Sequence, residues 1–370
     1  MKHILLISLF CILSAPVIPL CGMEKISRAE ESKKLQRVLI DTDPGVDDAM
    51  ALILAFGNTE RIRIEGITVV FGNSDDLNLL SDNACILLSA SGYLEKTGQD
   101  RPDLSVRHPF AVVAGAGKPL FREYSGGIAK LIHGNNGLGD VIWKGKVDYT
   151  PKKIGMRYSS AAEYIVKKAK QSPGQLTLVA LGPLTNIALA LQMEPGLPSL
   201  IQRLVIMGGV MNQAGNMSPV AEANIYNDPE AARKVFESGM DIWMAGLDIT
   251  RTIPLSDKFR EDLSGAGEIG LFLHDITDKY VRFFQKNTAD QSVAVNDSTA
   301  VMFLLHPELF QTGYYHVDIE TRGEYTTGMT VVDSRGYSGR PRNAHIISRC
   351  RDLDRFYDFF LESVRTIPGD

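Results

Sequence analysis

The chain has 370 residues, 44% hydrophobic and 22% charged, with a net charge of −5. This composition belongs to a soluble globular protein with a large core, in one domain or two. The acidic balance and the lack of any long Lys/Arg run exclude a protein that coats nucleic acid.

At the N-terminus, Lys2 and His3 precede an apolar run over 4–13 and then Ser14-Ala15-Pro16. This reads as a signal peptide over 1–22, too short for a comfortable membrane span, so export is expected. Leu20-Cys21-Gly22 resembles a lipoprotein cleavage site, although Leu20 is larger than the residue usual before the cysteine. Apart from such an anchor, no membrane contact is expected. Residues 23–36 are polar and read as a linker to a domain over 37–370. Cys11 and Cys21 lie in the leader, while Cys85 and Cys350 stand alone. Isolated cysteines suit packing better than a disulfide framework or a zinc site.

Val38-Leu39-Ile40 predicts a short buried strand, and a helix from Asp47 onward places Ala49, Leu52, Ile53 and Phe56 inward. Between them Asp43-Pro44-Gly45 is a turn, because Pro presets φ and Gly permits the reversal. Asp41, Asp43, Asp47 and Asp48 therefore crowd one strand-to-helix turn. Two of them could simply favour a helix N-terminus, with the other two on the surface. Four like charges at the end of a buried strand repel, however. They point to a hard divalent cation such as Ca²⁺, which takes oxygen ligands at ~2.3–2.6 Å.

Further strands are predicted over 62–70, 110–114, 176–181, 204–207 and 241–245. Helices over 76–91, 160–170 and 184–191 alternate with them. Another begins at Asp228-Pro229-Glu230, with Asp as cap and Pro at the first helical position. The polar stretch 93–107 reads as a surface insertion. Residues 115–150 carry eight glycines and read as a long loop, and loops that long are usually functional. A second glycine- and asparagine-rich loop covers 208–225. Helices over 256–264, 268–287 and 298–305 follow, then strands over 313–319, 328–333 and 344–348 and a helix over 352–364.

The alternation predicts a single open, mainly parallel, doubly wound (Rossmann-like) α/β sheet, with helices on both faces and a more helical C-terminal part. Ligands in such sheets bind beyond the C-terminal strand ends, where the loops after Ile40, Val70, Leu181 and Met207 lie.

The aspartate cluster over 41–48 resembles the fingerprint of the calcium-dependent nucleoside hydrolases, the inosine-uridine-preferring N-ribohydrolases. The likeness continues in order through Thr68-Val69-Val70 with Gly72-Asn73, and Ile132-His133-Gly134 with Gly137-Leu138-Gly139. Leu181-Gly182-Pro183-Leu184-Thr185-Asn186 follows, then Met207-Gly208-Gly209 with Gly215-Asn216, and Ser218-Pro219-Val220-Ala221-Glu222 with Asn224. Asp228-Pro229-Glu230-Ala231-Ala232 and Gly246-Leu247-Asp248 complete it, so the resemblance spans essentially the whole chain after the leader.

The resemblance implies hydrolysis of the N-glycosidic bond of ribonucleosides to ribose and free base, by a homo-oligomer (dimer or tetramer). It implies that Asp43, Asp48, Asp297 and the Leu181 carbonyl hold Ca²⁺, and that Asp43 takes the proton of the calcium-bound water. Asp47, Asn73, Asn216, Glu222 and Asn224 match the ribose contacts, and Asp41 a buried residue that orients the loop. Anionic groups around the sugar suit the oxocarbenium-like cation that such cleavage builds.

One position departs from the pattern. Many members carry His just before the last metal aspartate, as proton donor to the base, whereas this chain reads Val295-Asn296-Asp297. An amide cannot give up a proton as imidazolium can. His133 matches a second family histidine and could supply one. Tyr280, Phe283, Phe284 and Trp143 could line the base pocket, or the first three could be one buried helix face. Base preference is left open.

Two rival readings are weaker. Asp41-Thr42-Asp43 after an apolar strand also resembles the start of a haloacid-dehalogenase-like phosphatase, but Gly45 stands where those enzymes need Thr or Val. A nucleoside-binding protein of the same fold with lost turnover rests on Asn296 alone, against a full set of metal ligands.

Overall fold

The computed structural model describes residues 35–99, 109–124, 129–150, 159–287, 293–337 and 339–368. The leader expected over 1–22 and most of the linker lie outside these residues. The described strands are β1 Gln36–Thr42, β2 Ile62–Val69, β3 Val112–Ala114, β4 Leu176–Ala180, β5 Ile201–Met207, β6 Ile242–Ala245, β7 Phe310–Ile319, β8 Thr330–Asp333 and β9 Ala344–Cys350. They form one sheet in the order β3-β2-β1-β4-β5-β6-β9-β7-β8.

Pairing is parallel from β3 through to β9 and antiparallel for β9 with β7 and β7 with β8. The chain winds outward from β1 in one direction to β3, then returns to β4 and winds the other way. The strand order therefore reverses between β1 and β4. In open α/β sheets that reversal leaves a crevice at the carboxyl ends of the two strands, where ligands bind.

Strands buried on both faces need apolar residues at every position, and alternate residues then serve opposite layers. Val38 and Ile40 join one core, with Val179, Val205 and Met207, while Leu39 joins the other, with Leu178, Leu204 and Ile206. Helices Val46–Phe56, Leu77–Ala90, Glu268–Asn287, Asn296–Leu305 and Leu353–Arg365 contribute to the first layer. Helices Ala161–Gln171, Thr185–Met193 and Pro229–Phe236 contribute to the second. The doubly wound reading is thus met, and Gln36–Asp370 form one compact unit.

Helix Val46–Phe56 is buried at every residue except Asp47. A helix apolar all round must lie inside the protein, and this one packs against Asn296–Leu305 and Leu353–Arg365. The contact with Asn296–Leu305 carries an aspartate from the far end of the sequence to the end of β1.

Some boundaries differ from expectation. β1 continues through Asp41 and Thr42, because backbone pairing with β2 and β4 outweighs the poor strand propensity of aspartate. The insertion over 93–107 begins with a short helix, Tyr93–Thr97, between Gly92 and Gly98, both left-handed. Buried Tyr93 anchors it, its hydroxyl accepting the Ile64 N–H at 2.7 Å. The two glycine-rich loops contain the short helices Ala129–His133 and Ala223–Asn227. Both are too brief for a periodic pattern to reveal.

Away from the carboxyl ends, Glu65 of β2 is buried with Lys168 at 3.2 Å, Arg37 at 2.9 Å and Arg63 at 3.5 Å. Lys168 is only 3% exposed, and burial lowers its ammonium pKa to about 8 despite Glu65. Removing one partner of a buried pair leaves the other uncompensated. Glu65→Ala should therefore lower the free energy of unfolding by about 3 kcal/mol, read from urea denaturation. A loss below about 1 kcal/mol would place Lys168 among surface ion pairs instead.

Candidate active site

The turn after β1 is built by side chains bonding backbone. Asp48, at the third position of helix Val46–Phe56, accepts the Gly45 N–H at 3.0 Å and the Asp43 N–H at 3.3 Å. It also accepts from the Thr42 hydroxyl and, at 2.8 Å, from the Asn73 amide. Asn73 further donates its backbone N–H to Asp43 Oδ2 at 2.7 Å and its amide to the Asp43 carbonyl at 3.0 Å. The loops after β1 and β2 are therefore laced together through Asp43, Asp48 and Asn73.

Two glycines make room for Asp43. A Cβ at Gly72 would collide with Asp43 Oδ2, and one at Gly182 with Asp43 Oδ1. Backbone from β2 and from β4 thus approaches both carboxylate oxygens as no larger residue would allow.

Asp41 does not reach the cavity. It is fully buried, with Oδ1 accepting from Thr68 at 2.5 Å and from Asn186 at 2.8 Å. Burial raises its pKa to about 7. Asn186 also donates to the Val69 carbonyl, so Asp41 ties β1 to β2 and to helix Thr185–Met193.

One oxygen from each of Asp47, Asp48 and Asp297 lies within 4.8 Å of the others. Asp297 is the second residue of helix Asn296–Leu305 and is buried. Burial first, then repulsion from Asp47, Asp48, Asp43 and Glu222, pushes its pKa well above the usual carboxylate range. Asp43 is raised likewise, by burial and then by Asp48, and Asp48 rises to about 7 by burial and then by Asp47. Two of the expected ligands, Asp48 and Asp297, are in this triple. The structure puts Asp47 in the tight triple and holds Asp43 beside it, turned toward Asn73.

These groups fit a hard cation. All the donors are oxygens, all the charges repel, and Asp47 Oδ1 is buried with no hydrogen-bond partner. Oxygen-only donor sets select Mg²⁺, Ca²⁺ or Mn²⁺ over thiophilic metals.

A cavity of about 620 Å³ opens over the cluster. Asp43, Asp47, Asn73, His133, Leu181, Asn216, Glu222, Asn224, Asn296 and Asp297 all line it, so the structure brings together the residues expected from sequence. Asp48 lies just beneath them, fully buried.

Glu222 caps the short helix Ala223–Asn227, accepting from the Asn224, Gly209 and Ile225 N–H groups, and burial raises its pKa to about 7. Asn224 donates its amide to the Leu181 carbonyl at 2.7 Å and to the Met207 carbonyl at 3.1 Å. It therefore holds the carbonyl expected as a metal ligand. Asn216 Oδ1 accepts the Ala223 N–H at 2.9 Å.

At the other end of the cavity, His133 Nδ1 accepts the Val46 N–H at 3.1 Å. Burial lowers the imidazole pKa, so the ring is neutral and carries its proton on Nε2. Asn296 donates its amide to the Tyr280 hydroxyl at 3.0 Å and to Asp47 Oδ2 at 3.4 Å, and Tyr280 donates to the same oxygen at 3.3 Å. Tyr280, Phe283 and Phe284 line the cavity, yet Tyr280 is also packed and only 2% exposed, so both readings of that helix face hold for it. Trp143 does not take part. It stands edge-on to Phe272 at 5.2 Å and lines a separate recess with Ser89 and Glu268, because the loop over 134–150 turns it away from the cluster.

Sequence reasoning missed Tyr124, Leu247 and Arg251, which also line the cavity. Only Leu247 belongs to a recognised motif. Arg251 follows Asp248 by three residues, a spacing that gives no signal on its own.

Residues 38–358 match the family of the inosine-uridine preferring nucleoside hydrolases, and the chain belongs to that family. It is a hydrolase that cleaves the N-glycosidic bond of ribonucleosides. Uridine nucleosidase 1 of Arabidopsis thaliana is 36% identical over 321 residues, covering 85% of this chain and 88% of that protein. The pyrimidine-specific ribonucleoside hydrolase RihA of Salmonella paratyphi C is 36% identical over 335 residues, covering 89% and 98%. Among solved structures, the purine-preferring ribonucleoside hydrolase from Gardnerella vaginalis matches with a TM-score of 0.78 at 28% identity, covering 90% of this chain and 99% of that one. The family is metal-dependent, and the aspartate cluster is where an ion fits.

The packing at Gly182 yields a direct test. Gly182→Ala places a methyl against Asp43 Oδ1 and Val70 and must displace the carboxylate. The variant should stay folded by circular dichroism while kcat on its nucleoside substrate falls ~10²-fold, the usual effect of a misplacement near 1 Å. Unchanged kcat would show that the position of Asp43 is not critical.

Proposed function

We propose that the enzyme hydrolyses pyrimidine ribonucleosides, uridine foremost, with Ca²⁺ held by Asp43, Asp48, Asp297 and the Leu181 carbonyl. The observation that carries this reading is the convergence of buried carboxylates where the strand order reverses between β1 and β4. The choice of pyrimidines follows the uridine- and pyrimidine-cleaving relatives at 36% identity. When bound, the ion supplies the positive charge that offsets this repulsion and polarises the sugar hydroxyls and the attacking water.

The chain's own residues do the rest. Asp43, raised in pKa by burial and by Asp48, accepts the proton of the attacking water. Asp47, with one oxygen unpartnered, joins Asn73, Asn216, Glu222 and Asn224 around the ribose. Their anionic members stabilise the oxocarbenium-like sugar as the bond to the base breaks. His133 offers its Nε2–H to the base as a neutral donor. Asn296 gives no proton and serves instead to fix Tyr280 beside Asp47. An exported enzyme with a leader over 1–22, lipid-anchored if Cys21 is the cleavage residue, and assembled as a dimer or tetramer, completes the proposal.

Asp43→Asn tests the assignment of the base, since it keeps an oxygen donor and removes the proton acceptor. On uridine it should lower kcat by ~10²–10⁴-fold while KM stays within a few-fold. Near wild-type kcat would show that another group activates the water. A wild type that releases ribose from inosine far faster than from uridine would overturn the substrate choice.

A further inference from the structure

We propose that Arg251 stabilises the negative charge that develops on the departing pyrimidine, standing in for the proton donor that this chain lacks at position 296. The inference rests on the pyrimidine reading above and on the base lying against the wall that carries Asn296. Arg251 directly follows helix Leu247–Thr250 and lines the cavity. The segment after it runs beside the residues that lead into Asn296. The Ile253 carbonyl accepts the Val295 N–H at 3.0 Å, the Leu255 N–H donates to the Val293 carbonyl at 2.7 Å, and Pro254 bridges to Ala294. The segment that follows Arg251 thus adjoins the one that carries Ala294 and leads into Asn296, and all three residues line the cavity.

The charge pattern makes this residue distinctive. Among the described lining residues Arg251 is the one Lys or Arg, in a cavity whose other charged groups are Asp43, Asp47, Glu222 and Asp297. Its guanidinium bonds only neutral acceptors: the Ala214 carbonyl at 2.7 Å, the Gly215 carbonyl at 3.2 Å and Gln213 Oε1 at 3.4 Å. A guanidinium has five N–H donors in a rigid fork, so donors remain after these contacts. The nearby carboxylate of Asp248 is occupied by the Met211 and Asn212 N–H groups. Among the described residues Arg251 thus makes no ion pair, and it is anchored in place before substrate arrives.

That is what the leaving group needs. As the C1′–N1 bond breaks, its electron pair passes to N1 and spreads to O2 and O4 of the pyrimidine ring. The water oxygen bonds C1′ and gives its proton to Asp43, and the base anion takes a proton from solvent after departure. The products are ribose and neutral base, and no redox partner is involved. A fixed cationic donor aimed at the developing charge lowers the barrier without transferring a proton.

The competing role is purely structural: Arg251 could do no more than hold the loop over 213–215 that presents Asn216. Leaving-group dependence separates the two. We would measure kcat/KM for wild type, Arg251→Met and Arg251→Lys on uridine, p-nitrophenyl riboside and nicotinamide riboside. The nitrophenolate is a stable anion without help, and nicotinamide departs as a neutral molecule. Arg251→Met should lose ~10²–10³-fold on uridine. On the other two substrates it should stay within a few-fold of wild type, and Arg251→Lys should recover part of the uridine rate. Substrate ratios cancel the fraction of folded enzyme, so partial misfolding does not blur the result. Equal losses on all three substrates, or an unchanged uridine rate, would overturn the proposal. A wild type active on inosine but not on uridine would refute the pyrimidine reading instead. The same comparison, with inosine against p-nitrophenyl riboside, would then decide the role of Arg251.

Discussion

Mutual repulsion among buried carboxylates at the end of β1 is the constraint on which this structure depends. Asp43, Asp48 and Asp297 are each removed from water and each raised in pKa by burial and then by neighbouring carboxylates, Asp47 among them in every case. No ordinary fold gathers such charges for stability, because each ion costs several kcal/mol to bury without a counter-charge. Here the backbone is shaped to hold them. Gly72 and Gly182 give Asp43 its space, Asn73 binds Asp43 and Asp48 together, and a fully packed helix presents Asp297 from the distant end of the chain. A bound metal ion would resolve the conflict, and function would follow from the same arrangement. On the proposed mechanism, the charge that such an ion would offset is the charge that meets a sugar turning cationic.

The two ends of the cavity are built on different principles. At the end proposed for the sugar, polar groups are held by backbone: Glu222 accepts three N–H groups, Asn216 one, and Asn224 grips two carbonyls. Such fixed groups need little reorganisation when substrate binds. At the end proposed for the base, the wall is the aromatic face of helix Glu268–Asn287, with a hydrogen-bonded knot of Tyr280, Asn296 and Asp47. That knot connects the base wall directly to the acidic cluster, so changes at position 296 act on the sugar end as well.

Much of this was legible in the sequence, for identifiable reasons. Alternating apolar runs mark the parallel sheet because buried strands and amphipathic helices differ in period; β2, β4 and β6 are legible to within a residue of their observed limits, and β1 and β5 in part. The acidic turn announced itself through local charge density. The downstream ligands and sugar contacts emerged only from an ordered resemblance, since a single Asn or Glu in a loop carries no periodicity. Three things stayed hidden. The short helices Ala129–His133 and Ala223–Asn227 are held by tertiary bonds and not by propensity. Trp143 could line the base pocket by residue type, and only the path of its loop places it in a separate recess. Arg251 gained meaning only from the pairing of 253–255 with 293–295, a contact that sequence spacing does not encode.

Calorimetric titration with Ca²⁺ decides whether the aspartate cluster is a cation site. Chelator-treated wild type and Asp297→Asn would be compared at equal protein concentration. Wild type should take up one ion per chain, and the variant should lose binding or weaken it by ~10²-fold. Wild type that takes up no Ca²⁺, or a variant that binds it as tightly as wild type, would contradict the account.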